Sequence, residues 1–240
     1  MSLRYWLVIV TFIAVQLLGG LLALPLMAFG FSWDTATTTA IIISFTIGLI
    51  VIWFLIRKEP DPLRSKQAPL NAGLSILLVI GGFFVALIAQ VVIIEFQSSV
   101  LGIQPESENT ELILDIMSEN IWMIVTVALI GPIIEEIVFR QAIFGHLYRK
   151  MNFFWAGLIS SVIFAVIHLD FSHMLVYMVL GFLFAYLYAL SKRIIVPILA
   201  HVLMNAFASL PVLLGIDPED VEQMEESLQM ITGLLGALIP

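Results

Sequence analysis

Apolar stretches close to 20 residues long recur from one end of this chain to the other, and nothing constrains its folding more. A helix needs about 20 apolar residues to cross a hydrocarbon core of ~30 Å, and in lipid only a helix or a closed barrel satisfies its own backbone. Spans are read at 5–29, 39–56, 73–95, 121–140, 153–169, 173–190 and 194–214. A further apolar tail, 228–240, would rise only about 20 Å as a helix, short of a full crossing. The expected fold is therefore all-α, a polytopic transmembrane bundle of about seven to eight membrane helices forming one domain over 1–240. Composition agrees, with 61% of the 240 residues hydrophobic and 12% charged. The first span lacks a small-residue cleavage site and reads as an uncleaved helix. The chain has no cysteine, which removes disulfides, thiolate chemistry and Cys-ligated metals. Neither a Gly-rich phosphate loop nor a basic patch is present, so no nucleic-acid partner is expected; the lipid bilayer is one.

Charge placement orients the bundle. Arg4, Arg57, Lys58, Arg64, Lys66, Arg149, Lys150, Lys192 and Arg193 all fall in alternate loops, which the positive-inside rule makes cytoplasmic together with the N-terminus. The opposite loops carry Asp34, Glu106, Glu108, Glu111, Asp115, Glu119, Asp170, Asp217, Glu219, Asp220, Glu222, Glu225 and Glu226. A multi-pass cell-membrane protein follows.

The stretch GPIIEEIVFR, 131–140, breaks this pattern by placing Glu135, Glu136 and Arg140 inside a span. An ionised side chain at the centre of a membrane helix costs about 2.5–3.5 kcal/mol, so three of them need partners. At ~100° per residue Glu136 and Arg140 lie on one face at i,i+4 and can pair, while Glu135 points about 100° away and has no local partner. Other intramembrane polar groups are few. His168 follows Phe164 by one turn, and His201 precedes Asn205 by one turn. A ring nitrogen and an amide on one helix face suit a developing oxyanion, and Glu135 with His168 can deprotonate a water. His146 and His173 read as solvated surface residues. Glu135, His168 and His201 could also supply the three ligands of a catalytic zinc, although HExxH is absent.

EExxxR at 135–140, FxxxH at 164–168 and HxxxN at 201–205 together resemble the three motifs of the CAAX prenyl endopeptidase and bacteriocin-processing family, the CPBP or Abi proteins. The resemblance covers a catalytic core of roughly 120–210. It implies an all-helical membrane endopeptidase in which Glu135 and His168 activate water and His201 and Asn205 hold the oxyanion. Glu136 and Arg140 would be a supporting ion pair, no metal or other cofactor would be used, and the site would open toward the cytoplasm. The substrate would be a membrane-associated peptide or protein, and the setting a bacterial plasma membrane. The alternative is a non-catalytic immunity or scaffold protein with a structural polar core; transport is a weaker third reading. One difficulty attends the placement: on the spans above, Glu135 falls in the cytoplasmic half and His168 nearer the outer face, a mismatch on the order of 10 Å that a longer fourth helix, continuing to Tyr148, would close.

Overall fold

A computed structural model describes residues 1–64, 68–105 and 107–216. Lys66, Glu106, the acidic run after Ile216 and the 228–240 tail lie outside the described residues. Among those described there is no strand, and the helices are α1 Leu3–Ala28, α2 Trp33–Ile56, α3 Ala72–Leu101, α4 Glu108–Glu119, α5 Ile121–Tyr148, α6 Phe153–Val166, α7 Met174–Ser191 and α8 Ile195–Ala208, with a short turn Leu210–Leu213 after α8. Five of them, α1, α2, α3, α5 and α7, are long and apolar enough to cross a membrane. The chain is a multi-pass membrane protein.

Helix starts follow local chemistry. Ser32, Asn71, Ser107, Asn120 and Asn152 each accept a backbone N–H of the first turn through a side-chain oxygen, satisfying donors that a helix N-terminus leaves free. The Ser32 cap starts α2 six residues before the apolar run suggested, and Gly102, at φ 68°, ends α3 beyond the expected boundary at 95. The acidic stretch expected to be a loop contains the amphipathic helix α4.

α5 is the central helix: 56% of its apolar window is buried, against 17% for α3. It is also irregular, with π-helical turns at Thr126–Ile130 and Glu136–Phe144. Such turns carry an extra residue, redirect side chains and occur frequently at functional sites. By running to Tyr148 rather than stopping at Arg140, α5 places Glu135 midway along its length, which removes the depth mismatch with His168.

α6 and α8 are 14 residues each, about 21 Å as helices and short of a full crossing. Because α6 ends at Val166, His168 stands on the turn beyond it. Small residues bring these helices close, as is usual where lipid offers no hydrophobic drive for association. A Cβ on Gly181 of α7 would stand 3.1 Å from Ser161 Cβ and 3.2 Å from Ser161 Cα on α6. Gly181→Val is therefore expected to force α6 from α7 and cost about 1–3 kcal/mol, read as a lower unfolding temperature in detergent; an unchanged temperature would show that the two helices separate freely.

Candidate active site

Adjacent residues on a regular helix point about 100° apart, yet Glu135 and Glu136 approach the same imidazole, that of His201 on α8. Glu136 Oε1 is 3.0 Å from His201 Nδ1, and Glu135 Oε2 is 3.9 Å from His201 Nε2. Both residues keep ordinary right-handed helical dihedrals at the start of a π-helical turn, and their long side chains reach opposite nitrogens of the ring from adjacent positions. The His201 ring lies flat on Phe184, with centroids 4.7 Å apart and 18° between planes. A carboxylate only accepts, so His201 Nδ1 carries the hydrogen toward Glu136 and Nε2 faces Glu135.

Arg140 completes the cluster. Its Nε is 3.1 Å from Glu136 Oε2, and both side chains are fully buried. The sequence expectation of an i,i+4 pair holds, but the contact is ionic rather than an aligned hydrogen bond, and the guanidinium nitrogens have no hydrogen-bond partner among the described residues. Their charge rests instead over aromatic faces, with Arg140 Cζ 4.4 Å from the Phe164 ring centroid and 5.7 Å from that of Phe184. Glu136 thus does more than neutralise Arg140, since its other oxygen orients His201.

His168 is held from three directions. Its Nδ1 lies 2.7 Å from the Phe164 carbonyl oxygen; a carbonyl only accepts, so Nδ1 carries the hydrogen and the neutral ring keeps its lone pair on Nε2. Phe164 packs edge-on at 4.6 Å, and Tyr177 of α7 stacks on the ring at 4.1 Å and 24°. The FxxxH spacing therefore supplies both an edge contact and a tautomer-fixing carbonyl. His168 is within electrostatic reach of Glu135, Arg140 and His201. Asn205 donates through Nδ2 to the carbonyl of Val127, 3.1 Å away in the first π-helical turn of α5, leaving one amide hydrogen for another acceptor. Glu135, Glu136, Arg140, His168 and His201 thus come together between α5, the turn after α6, and α8, and Asn205 lies one turn beyond His201 on α8, bonded back to α5.

Three residues were missed. Tyr177 is an aromatic in an apolar span, with nothing in its sequence context to separate it from lipid-facing material. Asn109 of α4 donates to the Tyr177 hydroxyl at 3.3 Å, and Leu169, directly after His168, adopts φ 57°, a left-handed conformation costly for a branched side chain. His173 corrects an expectation, being buried rather than solvated. Its Nδ1 lies 3.1 Å from Asp170 Oδ1 and its Nε2 3.0 Å from the Gln104 carbonyl. Burial raises the Asp170 carboxyl, but hydrogen bonds from Ser107 and from the backbone and ring of His173 outweigh it and hold the group below its ordinary range. This network locks the turn that carries His168. His146 is half-buried, bonded to the Ala142 carbonyl and edge-on to Tyr5.

Holding Nδ1 of His201 by Glu136 and Nδ1 of His168 by a carbonyl leaves each Nε2 in a state that a metal could also use, but the fit to zinc is poor because among the described residues no three His, Asp or Glu side chains group as metal ligands would.

The family described as type II CAAX prenyl endopeptidase Rce1-like matches residues 117–207, a range that contains all six cluster residues. The "Putative membrane peptidase YdiL" of Bacillus subtilis (strain 168) is 43% identical over 245 residues, covering 97% of this chain and 98% of its own. The "Membrane-embedded CAAX protease MroQ" of Staphylococcus aureus (strain USA300) is 36% identical over 156 residues, 62% of each chain. No solved structure matches significantly. Likeness along nearly the whole length of one relative, with the family's match centred on the polar cluster, places this chain in the Rce1-like family of CAAX-type membrane proteases.

Proposed function

We propose that the chain is an intramembrane endopeptidase that hydrolyses a peptide bond of a membrane-associated peptide or protein by a water activated at Glu135 and His168. The observation that carries the reading is the unshared position of Glu135. Glu136 is occupied by Arg140 and His201, whereas Glu135 remains partly exposed, 3.9 Å from one ring nitrogen and within reach of a second imidazole whose Nε2 is free to take a proton. In the proposed cycle a water loses its proton to Glu135, with His168 as second proton handler, and its oxygen attacks the carbonyl carbon. The carbonyl π electrons move to oxygen, where the His201 ring, held at Nδ1 by Glu136, and the remaining Asn205 amide hydrogen meet the developing charge. Collapse breaks the C–N bond, and the leaving amine takes the proton back. Glu136 and Arg140 touch no reacting atom and position His201.

The poor fit of the cluster to three-ligand zinc binding supports a cycle without metal. Purified protein incubated with a membrane-peptide library is expected to cleave as well in chelator as without it. Activity lost in chelator and restored by added zinc would overturn the metal-free cycle, because ligated metal is needed in stoichiometric amount where it does the chemistry. A non-catalytic immunity or scaffold role is the competing reading, and cleavage by purified protein decides against it.

A further inference from the structure

Resting on the endopeptidase reading, we infer that the centre opens at the acidic-loop end of the bundle, so that the chain cleaves segments presented outside the cytoplasm. This is the reverse of the opening that the resemblance implies.

Three observations carry it. The first is that the basic residues are physically gathered at one end. Arg4 pairs with Glu59 at 3.4 Å, Arg64 Nε donates to the Lys192 carbonyl at 3.3 Å, and Arg193 Nε donates to the Leu70 carbonyl at 2.6 Å, so the N-terminus, the loop after α2 and the α7–α8 connection form one surface. The positive-inside rule makes that surface cytoplasmic. Acidic Glu111 and Asp115 lie exposed on α4 at the other end.

The second is that the basic end is sealed. The 59–64 turn is fastened across it: the Tyr5 hydroxyl donates to the Pro60 carbonyl at 3.1 Å and accepts from Gln141 Nε2 at 3.1 Å, while the Tyr188 hydroxyl donates to Asp61 at 2.6 Å. Leu63 is packed with Phe144 and Tyr188 in one buried cluster. Between that turn and the centre, Phe139, Arg140, Ala142 and Phe144 are at most 1% exposed. A peptide approaching from the cytoplasm meets a packed core.

The third is which members of the cluster are reachable. Glu136, Arg140 and His201 are buried, and Glu135, His168 and Asn205 are only partly so. His168 stands on the turn after α6 and stacks on Tyr177, less than one turn into α7, both at the acidic-loop end. Next to the His168 turn, the described part of the cover is fastened by polar contacts. Ser107 donates to Asp170 at 2.6 Å, Gln97 to the Ser172 carbonyl at 2.6 Å and Asn109 to Tyr177, and the His173 ring meets the Gln104 carbonyl at 3.0 Å. Hydrogen bonds of this kind contribute about 1 kcal/mol net each, so the first turn of α4 can part from the His168 turn while Met117, buried further along, keeps the helix anchored, whereas opening the other end would expose a packed aromatic core. The substrate class that follows is a peptide segment already translocated, or an outer juxtamembrane segment of a membrane protein, rather than the C-terminal tail of a cytoplasmic protein.

The test is substituted-cysteine accessibility in a chain that has no cysteine of its own. Asn205→Cys in the centre, Leu169→Cys at its rim and Lys192→Cys at the basic end are exposed to a membrane-impermeant maleimide, in intact cells and in inside-out vesicles, and unreacted thiol is then read as a gel shift with a polyglycol maleimide. In cells the Asn205→Cys and Leu169→Cys shifts are expected to be lost and the Lys192→Cys shift kept; in inside-out vesicles the pattern reverses. Leu169→Cys fixes the side of the His168 turn even where Asn205→Cys accumulates poorly. Blocking of Asn205→Cys from inside-out vesicles overturns the inference, and so does blocking of neither cysteine from outside. Labelling needs no turnover and cleavage is read on the unsubstituted chain, so outside labelling with an inactive unsubstituted chain would sink the protease reading alone, and inside labelling with an active one would sink only this inference.

Discussion

Glu135→Ala is expected to abolish peptide cleavage in protein that still folds, accumulates and binds peptide. Glu135 is the one carboxylate of the cluster with no saturating partner, so its loss removes the base without leaving a buried charge behind. His168→Ala and His201→Ala should be similarly inactive, the first by losing the proton handler whose tautomer Phe164 sets, the second by losing the ring that faces Glu135. Asn205→Ala should behave differently. Removing one oxyanion donor costs about 100- to 1000-fold while the activated water survives, so measurable turnover should remain. The comparison is of initial cleavage rates at equal amounts of folded protein. Wild-type rates in Glu135→Ala would end the protease reading and leave the immunity or scaffold role in its place.

The largest effect on the fold is expected from Arg140→Met. It leaves the Glu136 carboxylate fully buried beside His201 with no cation, and breaking a buried pair from one side costs about 3–5 kcal/mol. Total stabilities run to roughly 5–15 kcal/mol, so the loss is a large fraction of the whole and abundance in the membrane should fall at least several-fold. Glu136→Gln should be nearly as damaging, since it strands Arg140 and frees His201, whereas Glu135→Gln should accumulate normally. The double variant Glu136→Gln with Arg140→Met should recover part of the loss, because the unpaired charge rather than the missing pair dominates the cost. Detergent-extracted fluorescence size-exclusion profiles of the four variants check this, and equal abundance throughout would remove the structural role of the pair.

The two sets of variants divide adjacent glutamates by function, a division half visible in the sequence. The i,i+4 spacing of Glu136 and Arg140 already left Glu135 unpaired. That Glu136 also orients His201 was not visible, because the contact is made across to α8, 65 residues away in the chain, and no local pattern in α5 announces it. His173 failed for a related reason: a histidine in a polar loop reads as solvated until the loop is seen folded over Gln104 and Asp170.

The sequence by itself determined the all-helical membrane class of the fold and where charged residues interrupt its apolar spans, though among the described residues five helices rather than seven or eight prove long enough to cross. The physics is local and strong: about 20 apolar residues commit a segment to lipid, and each charge in such a segment is costly enough to stand out. Only the tertiary structure decided how those residues meet. Tyr177 on His168, Asn109 on Tyr177, Phe184 under His201 and the turn that seals the basic end are contacts between elements far apart in the chain. The packing of short helices against an irregular α5 set their depth and orientation, and hydropathy carries no information on either.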